Sequence, residues 1–221
     1  MVTIHLAGDS TVAPGPLDDS GVAGWGAALH EHVTERVHNQ AIGGATTASF
    51  RAEGRWQAIL DAVDPGDLVV VQFGHNDQKE PETLAAEGGY TANLRTFVEE
   101  ARAAGAEPVL ATSVERRLFT DDGELRHSHG PYPAAVRALG AAAGVPVIEL
   151  TGFTRWLYLW LGEEGSWRLF GHAHPETGAP DNTHFGADGA RTVAAFVAQQ
   201  LRVVRGLDDR TQPLGAWVVQ P

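Results

Sequence analysis

An α/β domain built on a parallel sheet is the fold class this sequence predicts, and two observations carry the prediction. Strand-like runs and helix-like stretches alternate along almost the whole chain, and the third strand-like run, Leu68–Phe73, is apolar enough to be covered on both faces. Alternation of this kind builds right-handed βαβ units with helices on both sides of a sheet. Such sheets place their sites beyond the carboxyl ends of the strands.

Taken in order, strands are expected at Thr3–Ala7, Arg36–Asn39, Leu68–Phe73, Pro108–Thr112 and Val145–Leu150. Helical patterns fill the gaps at Gly24–Val33, Arg51–Val63, Thr91–Ala104, Tyr132–Ala143 and Thr154–Leu161. A long one follows at Ala187–Val204, where Val193, Phe196, Val197 and Leu201 recur at helical spacing. Longer irregular stretches are expected at Pro14–Val22, Gln78–Gly89, Thr120–Gly130 and Gly162–Thr183, the last placed to form a cleft wall. Residues 1–205 read as one domain. The 206–221 tail carries Leu214, Trp217, Val218 and Val219, too apolar for a disordered end, and is expected to pack on the domain or on a neighbour.

The 221 residues are enough to bury a core without disulfides or a structural metal, and the absence of cysteine excludes thiol chemistry and Cys-based zinc sites. A formal charge of −12 argues against a nucleic-acid partner, and no apolar run is long enough to span a bilayer. The strand pattern Thr3-Ile4-His5-Leu6-Ala7 starts directly after Met1, so a cytoplasmic location is expected if Met1 is the native start, and secretion if the chain has been trimmed.

Four blocks could carry chemistry. Gly8-Asp9-Ser10-Thr11 closes the first strand, where a serine projects into a cleft and its backbone N–H can face an oxyanion; alone, the tripeptide reads as readily as a turn cap. Asn39 to Thr46 contains Gly43 and Gly44, which permit close backbone approach to a ligand or simply make a turn. Gly74-His75-Asn76-Asp77 directly follows the buried third strand, and the Asn76 amide can donate to a developing oxyanion or cap the next loop. Asp181-Asn182-Thr183-His184 precedes the last helix. A serine hydroxyl attacks an ester only if a base takes its proton; His184 is of the right type, and Asp181 can hold its other ring nitrogen.

In that order the four blocks resemble the SGNH (GDSL-like) hydrolases over most of the chain. The resemblance implies a flavodoxin-like, three-layer α/β/α sandwich with a central parallel sheet. It also implies a triad of Ser10, Asp181 and His184, and an oxyanion hole of Ser10 N–H, Gly44 N–H and the Asn76 amide. Gly24-Trp25-Gly26, Phe73-Gly74-His75-Asn76-Asp77 and Val114-Glu115-Arg116-Arg117 look like the rhamnogalacturonan acetylesterases within that family, with Ala45-Thr46 standing where an Arg-Ser pair is common. The implied activity is removal of acetyl groups from pectin-derived oligosaccharides without a cofactor or metal. Trp25, His75, Arg116 and Arg117 are the expected substrate contacts, Trp25 by stacking on a sugar; for Arg116 and Arg117 a structural ion pair with Glu115 is an equal reading beside the pairing of one Arg with an acidic sugar. A lipase or thioesterase of the same family is the alternative enzyme, and a catalytically silent glycan-binding domain the alternative of another class.

His127-x-His129 and His172-x-His174 lack acidic or Cys partners at ligand spacing and read as surface or cleft histidines. Phe153, Trp156, Leu157, Trp160 and Leu161 read as a core face of a helix, with an aromatic sugar platform as the second reading.

Overall fold

The structure, a computed structural model, describes residues 2–18, 21–170 and 181–206 and the backbone of 218–219. Five strands run parallel: β1 (Thr3–Gly8), β2 (Arg36–Asn39), β3 (Leu68–Gln72), β4 (Glu107–Ala111) and β5 (Val147–Ile148). The short β6 (Val218–Val219) pairs antiparallel with β5, giving the order β2-β1-β3-β4-β5-β6. The chain builds outward from β1 to β2, then crosses to β3 on the other side. That reversal leaves a crevice at the carboxyl ends of β1 and β3, where open α/β sheets bind ligands.

Period-two alternation divides the strand residues between two cores. Ile4, Leu6, Leu68, Val70, Val109 and Ile148 face α1 (Trp25–Ala28), α6 (Leu150–Ser166) and α7 (Ala187–Val204). On the other face Ala7, Val69, Val71, Leu110 and Val147 meet α2 (Thr47–Ala52), α3 (Arg55–Leu60), α4 (Thr91–Ala103) and α5 (Tyr132–Ala143). The result is the three-layer sandwich expected.

Differences from the sequence reading have local causes. The helix expected over Arg51–Val63 is two, α2 and α3, because Gly54 adopts φ 76° between them. Its first part starts earlier, at Thr47, where Thr46 and Ser49 form a reciprocal capping box. The fifth strand is only two residues long, since the Glu149 side chain accepts from Gly152 N–H and starts α6 at once. Helix α6 in turn runs beyond Leu161 to Ser166, broken at Gly162 with φ 72°. Phe153 and Leu157 are buried in it, but Trp156 and Trp160 are 46% and 68% exposed and stack on each other at 6.1 Å. The core-face reading fails for those two tryptophans, which lie on the outward side of the helix. Most of the 206–221 tail and the His172-x-His174 pair lie outside the described residues. No helix among the described residues is long and apolar enough to cross a membrane.

The α4 face of the sheet is anchored by Phe97, which is fully buried with Trp56, Phe73 and Phe50 around it at centroid distances of 4.4, 6.0 and 6.5 Å. Phe97→Ala should therefore destabilise the protein by about 3–5 kcal/mol. Urea unfolding would measure this, and a loss below ~1 kcal/mol would mean that the cluster collapses around the gap.

Candidate active site

Ser10 follows β1 in a turn whose shape is set from below. The Asp9 carbonyl accepts from Val12 N–H and Ala13 N–H at 3.1 and 3.0 Å, while Asp9 Oδ1 accepts from Thr11 N–H and Thr11 Oγ1 at 2.9 and 2.8 Å. Thr11 Oγ1 also accepts from Gln72 Nε2 at 2.6 Å, and Gln72 Oε1 accepts from Trp25 Nε1 at 2.8 Å. This buried polar chain runs from α1 through β3 to the turn. Gly8 is needed beneath it, because a Cβ there would lie 2.5 Å from the Val12 side chain and 2.9 Å from the Gln72 carbonyl.

His184 reaches the same place from the loop before α7. Its Nε2 lies 3.0 Å from Ser10 Oγ and its Nδ1 lies 2.8 Å from Asp181 Oδ2. Asp181 Oδ1 accepts from the backbone N–H groups of Thr183 and His184, both at 2.9 Å. Burial acts to raise the Asp181 pKa, and the bonds from His184 and Thr183 outweigh it, holding the carboxyl at about 2. The loop is tied on three sides by backbone bonds: Arg117 N–H to the Asn182 carbonyl, Ala23 N–H to the Phe185 carbonyl and Gly186 N–H to the Leu169 carbonyl.

Two further loops complete the crevice. Gly44 holds a left-handed φ of 77°, and the neighbouring Gly43 comes close enough that a Cβ on it would lie 3.9 Å from Ser10 Cβ. The Asn76 amide donates to the Ala45 carbonyl at 3.0 Å and so joins the loop after β3 to the glycine loop. The Asn76 side chain makes no capping bond to a backbone N–H of the turn that follows, the alternative role expected of it. Among the described residues, the backbone N–H groups of Ser10 and Gly44 have no acceptor. Asp77 Oδ1 accepts from Thr47 N–H and Oγ1 at 2.9 and 2.7 Å, fastening the same two loops a second time. Burial raises the Asp77 pKa, against the Thr47 bonds that lower it.

The expected substrate contacts fare differently. Trp25 is fully buried with its N–H spent on Gln72, so its ring has no face for a sugar. Arg117 is also buried: its guanidinium donates to Ser166 Oγ at 2.8 Å and to the Glu163 carbonyl, and lies 3.8 Å from the centroid of the Trp167 ring. It clamps the end of α6 beside the catalytic loop and cannot pair with a substrate carboxylate. Arg116 is partly buried and donates to the carbonyls of Ser128 and His75, bracing the loop after β3. Burial lowers its pKa, with Glu115 acting the other way. His75 is buried too, with Nδ1 3.4 Å from Asp9 Oδ2 and its ring edge-on to His129 at 4.5 Å. Asp9 is held below the usual carboxylate range: burial opposes this, and His75 and the Thr11 bonds overcome it.

His129 is not a surface or cleft histidine either. It is buried, bonded to the Val114 carbonyl at 2.8 Å, and burial pushes its pKa down to about 2. His127 is exposed, and the described residues hold no cluster of three metal-ligating side chains.

Sequence reasoning missed the supports: Asp9, Thr11, Gln72, and Asp77 with Thr47. Their signal was faint, namely a polar Gln at the end of an apolar strand and an Asp directly after Asn76. A serine, a histidine and a carboxylate in hydrogen-bonded series can pass a proton from hydroxyl to imidazole while the carboxylate steadies the cation formed. Beside unpaired backbone N–H groups, such a site suits acyl transfer.

Fold and site together define a serine-type hydrolase of the α/β class. Residues 6–192 match the GDSL-like lipase/acylhydrolase family, and the chain belongs to that family. Over 206 residues it is 43% identical to the rhamnogalacturonan acetylesterase RhgT of Bacillus subtilis, covering 90% of this chain and 88% of that one. Among solved structures, the Bacillus subtilis protein YxiM superposes with a TM-score of 0.79 at 30% identity, over 93% of this chain and 57% of the YxiM chain. The acetyl-xylooligosaccharide esterase Axe2 of Geobacillus shares the fold, with a TM-score of 0.64 at 16% identity over 91% of this chain and 94% of that one.

The depressed Asp181 pKa has a consequence for stability. A carboxyl lowered from 3.8 to about 2 on folding contributes stability that is fully present above its unfolded value and is lost as the pH falls through the folded one. The stability gap between wild type and Asp181→Asn should thus be constant near neutrality and shrink between about pH 4 and pH 2. Urea titrations at a series of pH values test this; a gap that widens on acidification would contradict it.

Proposed function

We propose that this chain is a carbohydrate acetylesterase acting on pectin-derived oligosaccharides of the rhamnogalacturonan type through an acetyl-enzyme on Ser10. The observation that carries the reading is the unbroken series Asp181, His184, Ser10 at 2.8 and 3.0 Å. The likeness to RhgT supports the substrate class.

In this mechanism Ser10 Oγ attacks the acetyl carbonyl carbon as His184 Nε2 takes the hydroxyl proton. The carbonyl π pair moves to oxygen, and the resulting oxyanion rests on Ser10 N–H, Gly44 N–H and the Asn76 amide. Collapse breaks the bond to the sugar oxygen, which leaves with the proton from His184. Water then repeats the sequence on the acetyl-enzyme, releasing acetate and restoring Ser10. Throughout, Asp181 holds Nδ1–H and keeps the acceptor nitrogen turned to the serine. The side chains flanking the proposed catalytic residues, Thr11, Ala45 and Thr46, are short and buried, which suits a small acyl group.

Ser10→Ala should abolish both turnover and covalent labelling by a phosphonate ester while leaving the urea transition in place. Labelling of another serine would overturn the assignment. Across esters of one alcohol, acetyl should be cleaved best, with activity falling by butyryl and absent at octanoyl. A lipolytic groove would show the opposite trend, each accommodated methylene favouring binding by up to about 0.8 kcal/mol, so a preference for octanoyl would reject the carbohydrate reading.

A further inference from the structure

Lys79 is the single lysine of the chain; every other basic residue counted among its 16 Lys and Arg is an arginine. It stands in the short helical turn Asp77–Lys79 just after β3, and its Nζ donates to Asn76 Oδ1 at 2.8 Å. Among the described residues it pairs with no carboxylate. In a chain of net charge −12, the one lysine ammonium is thus committed to an amide oxygen. That amide is the third donor of the oxyanion hole in the reading above.

The arrangement has two physical effects. An amide whose oxygen accepts from an ammonium and whose nitrogen donates to the Ala45 carbonyl has a single orientation, with oxygen and nitrogen unable to exchange places. One N–H therefore remains for a ligand. The ammonium also draws electron density toward the amide oxygen, making that remaining N–H a stronger donor, as happens along polarised hydrogen-bond chains. Its charge has a local purpose as well. Asp9 and Asp77 are both fully buried next to the crevice and Asp181 is nearly so, and ionised carboxylates there oppose an oxyanion forming on the substrate. A cation one amide away offsets them without touching the substrate.

We propose that Lys79 is a positioning residue that orients and polarises the Asn76 amide, so that the third oxyanion donor reaches full strength only with this lysine in place. The inference rests on the Ser10 reading of the site.

The test is a double-mutant cycle on 4-nitrophenyl acetate, a neutral ester with no carboxylate for the lysine to bind. Lys79→Met should lower kcat by about 10-fold, part of the 10²–10³-fold that losing a whole oxyanion donor costs, with KM and the thermal midpoint little changed. Lys79→Arg, which can still donate to Oδ1, should stay within about threefold of wild type. In an Asn76→Ala background the Lys79→Met change should have no further effect. Three results would overturn the proposal: kcat unchanged in Lys79→Met, a rise in KM with kcat intact, or an equal loss in the presence and absence of Asn76. Ser10→Ala measured alongside separates the two readings. Its inactivity beside a fully active Lys79→Met sinks the lysine's role alone, whereas turnover by Ser10→Ala sinks the site assignment beneath it.

Discussion

The parallel pairing of β1 with β3, which sets Gly8 opposite Gln72, is the constraint on which the rest of the site depends. It lies where the sheet order reverses, so the loops after the two strands part and a crevice opens between them. One loop delivers Ser10 and the other Asn76. Gln72 at the end of β3 supports Thr11 in the serine turn, and Asp77 and Asn76 tie the loop after β3 to the glycine loop after β2. No single segment carries the site, yet every segment bears on this one strand pair.

Buried polar groups fix the loops around the crevice. Asp9, Asp77 and Glu115 are all buried carboxylates that accept from backbone N–H groups of the loops they fix. Taking a carboxylate out of water is costly, and several well-made bonds are required to offset it. The same bonds specify loop shape, because an apolar side chain in those places would leave backbone donors unpaired. Two arginines act alike: partly buried Arg116 donates to the Ser128 and His75 carbonyls, and buried Arg117 donates to the Glu163 carbonyl.

How much of this was legible followed from the range of the interactions. Strand positions were readable because period-two burial is local, and α5 and α7 lie where the spacing placed them. Ser10, Asp181 and His184 stood out through the resemblance of four ordered blocks to the SGNH hydrolases, since each block alone reads as readily as a turn. The burial of Trp25, Arg117 and His75 was not legible, because residue type says what a side chain can bind, whereas exposure is decided by elements distant in sequence. Trp25 is turned inward by Gln72, 47 positions away, and Arg117 by Ser166, 49 positions away. The split between α2 and α3 depended on one left-handed glycine, which a helical pattern tolerates on paper. Trp156 and Trp160 share the helical repeat of buried Phe153 and Leu157, and spacing alone did not show that they lie outside the part of that face which the sheet covers.

The two contacts of His184 differ in reach. Its bond to Asp181 spans three residues, whereas its bond to Ser10 spans 174. The base and its orienting carboxylate are therefore a local cassette, shaped by one loop and indifferent to whether the nucleophile is present. During synthesis the hydroxyl and the backbone donors around it emerge first, and the cassette emerges near the end. A growing chain thus carries an unarmed serine until the cassette follows it, and hydrolytic power arrives only when the loop before α7 meets the turn after β1.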